Sequence, residues 1–221
     1  MDAHIWQIEV GHRYSQYATN LNPSQFFIFL TKQGDYYYKY HQDTPFYLTI
    51  INAPRKSELV LEFTGKILKD DYYKLINIDT IHQCLNTINN LGICELDVDG
   101  VILSAEVVLC DVTMDVEYPF SMADVKKHLR ASTTNNYKWS IKNYSNNGFV
   151  IINNVTNSKY YKRFILYDKE KELHKANNRD FMDWVSEKDN LESYYKSKVR
   201  FELNLLNVKQ VKRNLDIQDN K

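Results

Sequence analysis

Apolar and polar residues alternate over short runs through the first part of the chain, the period of a half-buried strand. Ile5–Val10 alternates in this way. Gln25–Leu30 and Tyr36–Tyr40 flank Gly34-Asp35, which predicts a tight hairpin. Phe46–Asn52 and Glu58–Phe63 read as a second antiparallel pair joined across Pro54-Arg55-Lys56. The period then becomes helical. Ile81, Leu85, Ile88 and Leu91 fall on one stripe, with Thr80 as the expected N-cap and Gly92 as the stop. Ile93–Val98 and Val101–Val108 flank Asp99-Gly100, which predicts another hairpin.

Leu109–Val116 reads as a strand, and Ser121 with Asp124 opens a helix in a near capping box. A turn is expected at Ser145-Asn146-Asn147-Gly148, followed by strands at Phe149–Asn153 and Arg163–Lys169. Lys171–Ser197 reads as mostly helix, burying Leu173, Phe181, Trp184 and Val185. Val199–Leu206 is the last strand, and 214–221 is a polar tail. Strands and helices mix without a regular βαβ rhythm. The expected class is therefore α+β, with a central, largely antiparallel sheet and helices packed on one face. The expected organisation is one domain over 1–221, with lobes at 1–108 and 109–221.

A chain of 221 residues can bury a core without disulfide or metal staples. Its 43% hydrophobic and 25% charged residues are ordinary globular values and exclude long disorder. No apolar run approaches the roughly 18–20 residues of a membrane helix. The first residues lack a basic segment followed by an apolar one, so no signal peptide is expected. The cysteines, Cys84, Cys94 and Cys110, are odd in number and irregularly spaced, which suits reduced thiols in the cytoplasm and makes no metal knuckle. The 17 tyrosines beside six glycines are explained equally by an AT-rich genome. The net charge of zero hides an asymmetry: residues 1–120 hold 8 Lys and Arg against 16 Asp and Glu, and 121–221 hold 20 against 12. Segregation of this kind points to an anionic partner such as nucleic acid.

Strand parity adds chemistry. In Leu109–Val116, Asp111, Thr113 and Asp115 share a face; in Val199–Leu206, Arg200, Glu202 and Asn204 do. In Arg163–Lys169, Arg163, Ile165, Tyr167 and Lys169 do. If these faces lie on one side of one sheet, they gather Asp111, Asp115, Glu202, Tyr167, Lys169 and Arg200. Carboxylates on a rigid sheet suit Mg²⁺ or Mn²⁺. A tyrosine helped to deprotonate is a competent nucleophile toward phosphorus. The same pattern also describes the solvated outer face of any half-buried sheet.

The string from Arg163 to Leu173, with Tyr167, Lys169 and Glu172, resembles the Tyr-x-Lys-x-x-Glu strand of the phage and plasmid replication proteins of the gene II/X type. Val199-Arg200-Phe201-Glu202 is similar to that family's Val-Arg-Phe-Glu strand. Asp111-Val112-Thr113, followed by the helix from Ser121, resembles its Asp-x-Thr element, and Gly65-Lys66 its small-residue-Lys element. The matches run in order over about residues 58–206. The resemblance implies a replication-initiator-like nuclease fold and a rolling-circle initiator whose tyrosine attacks DNA at an origin and keeps the 5′ phosphate.

On that reading Tyr167 is the nucleophile, with Lys169 and Arg200 as its charge-stabilising partners. Asp111 and Glu202 bind Mg²⁺ or Mn²⁺, with Asp115 as a further ligand, and Arg163, Lys162 and Lys198 contact DNA. Tyr160, Tyr161, Tyr194 and Tyr195 are alternative nucleophiles. Lys126, Lys127, Arg130 and Lys159 are expected among the basic residues that rim the open face of the sheet. The expected partner is single-stranded or unwound origin DNA, with a host helicase as a further candidate and no membrane. No His-apolar-His pair occurs, so a histidine metal site is not expected. The alternatives are a DNA-binding replication accessory or regulatory protein without cleavage, and an interaction module with no DNA partner.

Overall fold

The computed structural model describes residues 8–9, 18–19, 26–30, 36–40, 44–53, 58–118, 121–133, 138–144, 147–153, 155 and 160–215. The chain is α+β and divides into two compact units, Asp2–Cys110 and Asp111–Lys221. Each carries a five-stranded sheet, so the single central sheet expected from the sequence is one of two. The turns at Gly34-Asp35 and Pro54–Lys56, Ser145 and Asn146, Lys159, and the end of the tail from 216 lie outside the described residues.

In the first unit, β1 (Ile8–Glu9), β3 (Phe26–Leu30), β4 (Tyr36–Tyr40), β5 (Leu48–Ala53) and β6 (Glu58–Phe63) form a sheet in the order β1-β6-β5-β4-β3. All its pairings are antiparallel. The two hairpins expected from alternation are therefore present. β2 (Ala18–Thr19) pairs with β7 (Glu95–Leu96). Ile50, Leu59, Leu61 and Phe63 are buried in the core, as are Cys84, Leu85 and Ile88 of helix α1 (Ile81–Asn90).

Helix α1 stops at Gly92, whose φ of 66° suits a residue without Cβ. Thr80 stands at its N-cap as expected, but its side chain makes no cap hydrogen bond. Asn77 Oδ1 accepts from the backbone of Asp79 at 2.8 Å and of Thr80 at 3.2 Å, while the Thr80 hydroxyl donates to the Leu75 carbonyl at 2.7 Å. The hairpin expected around Asp99-Gly100 is instead helix α2 (Val98–Ser104). Asp97 Oδ1 accepts from Gly100 N–H at 3.1 Å, so the Asp-Gly pair sits in a capped first turn.

Burial pushes the Cys84 thiol up to about 12 and the Cys94 thiol up to about 11 from an ordinary 9.0. Iodoacetamide at pH 8.5 should therefore alkylate native Cys84 roughly a thousandfold and native Cys94 about a hundredfold more slowly than the unfolded chain, read by mass spectrometry of peptides. Equal rates would show the thiols to be open. The unfolded thiols ionise first, so their contribution to stability is complete below pH 9.0 and is lost as pH rises toward 11 and 12.

In the second unit, β8 (Cys110–Glu117), β9 (Trp139–Tyr144), β10 (Gly148–Asn153), β11 (Arg163–Asp168) and β12 (Lys198–Leu205) form a sheet in the order β8-β12-β11-β10-β9. The pairs β9–β10, β10–β11 and β11–β12 are antiparallel. Asp111 bonds Asn204, Asp115 bonds Arg200 and Tyr118 N–H donates to the Ser197 carbonyl, so β8 also runs antiparallel to β12.

Helix α3 (Met122–Thr133) packs on the apolar face of this sheet. Its Val125 is buried with Phe149 and Leu166, and Met122, Ile141 and Phe201 close the cluster. Ser121 caps it as expected: its Oγ accepts from Asp124 N–H at 3.2 Å and donates to the Asp124 carboxylate at 2.6 Å. The helical stretch of 171–197 breaks into α4 (Lys169–Leu173), a short 3-10 turn, α5 (Arg179–Trp184) and α6 (Lys188–Tyr195). A last helix, α7 (Val208–Asn214), follows β12.

Candidate functional site

The registers bring the three polar strand faces onto one side of one sheet. Asp115, Arg200, Tyr167, Gly148 and Tyr144 form one row across β8, β12, β11, β10 and β9. Asp111, Asn204 and Arg163 form a second row, two residues further along each strand beyond Glu202 and Ile165. The side is shared because every step across an antiparallel ladder preserves the face.

The Tyr167 hydroxyl donates to Glu202 Oε1 at 2.6 Å. Tyr167 is 5% exposed, and its ring packs 5.8 Å from that of Tyr144. Lys169, the first residue of α4, is 3% exposed, with its ammonium 5.5 Å from the Tyr167 ring centre and 5.7 Å from that of Tyr195. The Tyr144 phenol is held above its ordinary 10.0, first by burial and then by the charges of Glu202, Glu172 and Asp111, with Arg163 acting the other way. Three carboxylates thus act on one phenol at the edge of the Tyr167–Glu202 pair.

Gly148 makes room for this arrangement. A Cβ at that position would stand 2.3 Å from the Leu166 carbonyl oxygen and 2.6 Å from Tyr167 Cβ, closer than such contacts allow. Gly148→Ala should therefore force β10 from β11, lower stability by about 1–3 kcal/mol and displace Tyr167. Urea unfolding checks the first effect; unchanged stability would mean the strands already have slack.

Arg200 lies on the expected face, but it is buried in an ion pair there. It is 0% exposed, and it grips both oxygens of Asp115, Nε to Oδ1 at 2.7 Å and Nη2 to Oδ2 at 2.7 Å. Its Nη2 also donates to the Tyr195 hydroxyl at 3.0 Å. Helices α4 and α6 thus close over this end of the face, which is not open there. Asp115 serves as the counterion of a buried guanidinium. A divalent cation placed on it would sit against Arg200, so Asp115 does not fit the metal set.

Asp111 and Glu202 do fit. Both are hard oxygen donors on one face and act on the same phenol, and Mg²⁺ commonly takes one or two carboxylates with the rest of its shell from water and substrate phosphate. Asp111 accepts from Asn204 Nδ2 at 2.5 Å, and Arg163 Nη1 donates to Asn204 Oδ1 at 2.9 Å. Among the described residues, no three His, Cys, Asp or Glu side chains come together as a metal centre.

The expected DNA contacts separate. Arg163 lies on the carboxylate face. Lys162 N–H donates to Asn153 Oδ1 at 2.6 Å. Lys198 holds its ammonium 3.7 Å from the Tyr194 ring and lines a cleft with Tyr118, Ser121 and His174. Lys126, Lys127 and Arg130 belong to α3, on the opposite face, where Lys126 bonds Asn143; they do not rim the carboxylates. The helix follows from its capping pattern, but which face it covers depends on packing that no local pattern states.

Among the alternative tyrosines, Tyr195 is fully buried under Arg200 and meets Tyr194 edge to face at 4.9 Å, while Tyr160 and Tyr161 lie just before β11. The sequence pattern marks Gly148 only as a turn residue and does not single out Tyr144. The turn before Gly148 was visible, but only the register sets both residues against Tyr167. No helix among the described residues is long and apolar enough to cross a membrane. No family model, no curated protein and no solved structure matches this chain.

Proposed function

We propose that the chain is a site-specific DNA-nicking and strand-joining enzyme acting in the cytoplasm, of the rolling-circle initiator type that its sequence resembles. The observation that carries this reading is the Tyr167–Glu202 hydrogen bond of 2.6 Å, on a face shared with Asp111. A nucleophile needs a base within hydrogen-bond reach, and this pair supplies both.

In the proposed step, the Tyr167 oxygen forms a bond to a backbone phosphorus while its proton passes to Glu202. The bond from phosphorus to the 3′ oxygen breaks. That oxygen takes a proton and leaves as a hydroxyl, and the 5′ phosphate stays on the tyrosine. Lys169 favours the negative charge that builds on the phenol oxygen and phosphate. Arg200 holds Asp115 of β8 and Tyr195 of α6 and so ties β12 to both. Asp111 and Glu202 would hold Mg²⁺ or Mn²⁺, which when bound polarises a phosphoryl oxygen. Incubation of the wild type with single-stranded origin-like DNA and Mn²⁺ should give a covalent adduct that survives denaturing electrophoresis. No adduct on any such DNA, with Mg²⁺ or Mn²⁺, removes this reading.

The slight exposure of Tyr167 favours a second reading. In it the Tyr167–Glu202 bond is a brace within the sheet, and the chain binds DNA without cutting it, as a replication accessory or regulator. The excess of basic residues from 121 to 221 serves that role equally. Salt-dependent DNA binding without an adduct decides for it.

A further inference from the structure

A second cluster, away from Tyr167, lies where the residues leading into β11 meet α7. Asn153 Nδ2 donates to the Tyr160 carbonyl at 2.6 Å, Lys162 N–H donates back to Asn153 Oδ1 at 2.6 Å, and Gln210 Nε2 donates to the Tyr161 carbonyl at 3.2 Å. The backbone of 160–162 is therefore fixed from both sides. Tyr160 nevertheless leaves 44% of its surface exposed, with the Arg213 guanidinium 4.4 Å from its ring centre. An apolar ring of this size in contact with water, backed by a cation, is an aromatic plate already set in position.

The neighbouring helix is basic. Helix α7 carries Lys209, Lys212 and Arg213 and no acidic residue, and Lys209 stands four residues before Arg213 on the same helix face. Lys162 and Arg163 follow Tyr160 and Tyr161 in the chain. A flat apolar surface within a cationic rim asks for a ligand with an accessible π-face and a nearby negative charge. An unpaired base on its phosphate backbone meets both needs, whereas a duplex hides its base faces in the stack.

We propose that Tyr160, backed by Arg213, is a stacking platform for an unpaired DNA base, with Lys162, Lys209 and Lys212 holding the adjoining phosphates. The choice of DNA rests on the nicking reading. The stacking chemistry rests on the geometry alone. Arg163 begins β11 beside this cluster and shares a face with Tyr167 four residues on, about 13 Å along the strand. A single strand seated on Tyr160 would thus lead toward the nucleophile.

The test uses the full chain in a Tyr167→Phe background, which binds without cutting, and a fluorescein-labelled oligo-dT followed by anisotropy. Adding Tyr160→Ala should weaken binding about 5- to 150-fold, while adding Tyr160→Phe, which keeps the ring, should stay within about twofold. On an abasic oligonucleotide of equal length the Tyr160→Ala effect should vanish. Equal binding by Tyr160→Ala and its parent on oligo-dT overturns the proposal. So does a loss that persists on the abasic strand, or a duplex of the same length bound as tightly. Tighter binding of oligo-rU overturns the assignment to DNA. Failure of the nicking reading appears separately, as an absent adduct in the chain that keeps Tyr167, and leaves these binding ratios intact.

Discussion

Tyr167→Phe should form no covalent adduct with DNA while still folding and binding. The substitution removes one oxygen and leaves the ring that packs on Tyr144 and lies under the Lys169 ammonium. The lost hydrogen bond to Glu202 should lower stability by only about 1 kcal/mol, since Glu202 is half-buried and can recover water. Glu202→Gln should slow adduct formation by about 10²- to 10⁴-fold, the usual worth of a positioned base. Both effects are read by gel shift under denaturing conditions with end-labelled DNA. An adduct that persists in Tyr167→Phe places the nucleophile at another tyrosine, and an unchanged rate in Glu202→Gln removes the base from that residue.

Asp115→Ala should be among the most damaging single changes in the second unit. It leaves the Arg200 guanidinium fully buried without the carboxylate that takes two of its bonds, and the Tyr195 hydroxyl accepts only one. Breaking a buried pair from one side costs about 3–5 kcal/mol. That is a large part of the roughly 5–15 kcal/mol that holds a typical domain together. Replacing both partners by apolar residues, Asp115→Leu with Arg200→Met, should cost much less, because no charge is then stranded. Urea denaturation monitored by tryptophan fluorescence compares the three chains. A loss below about 1 kcal/mol in Asp115→Ala would mean that water reaches Arg200.

Alternation alone placed Asp111, Asp115, Arg200, Glu202 and Tyr167 on the proper faces of their strands, because parity is a local property. Register is not local. Nothing in Asp111-Val112-Thr113-Met114-Asp115 states which of its two aspartates meets Arg200 across the ladder and which meets Asn204. A residue expected as a metal ligand is therefore an arginine's counterion. The same limit hid Gly148, whose need for space is set by Tyr167 on the neighbouring strand. At Asp99-Gly100 the local signal itself was ambiguous, since Asp-Gly suits a hairpin turn and a helix first turn alike, and the Asp97 cap decided between them. The cover of α4 and α6 over Arg200 was invisible for another reason: a charged helical stretch gives few clues to the polar face it buries against.

The pairing of β8 with β12 has a consequence for when the carboxylate face is assembled. Asp115 and Arg200 are 85 residues apart in sequence, and Asp111 and Asn204 are 93 apart. The first strand of this sheet therefore waits at its edge for the last one. Closing a loop of that length costs about 4 kcal/mol in chain entropy beyond a constant, before any contact repays it. Such high contact order makes folding slow. On a ribosome, β8 emerges long before its partner, and the two sides of the carboxylate face first meet when synthesis has passed residue 204. A chain clipped before residue 202 would carry Tyr167 without Glu202, so the nucleophile of the proposed nicking step would stand without its base.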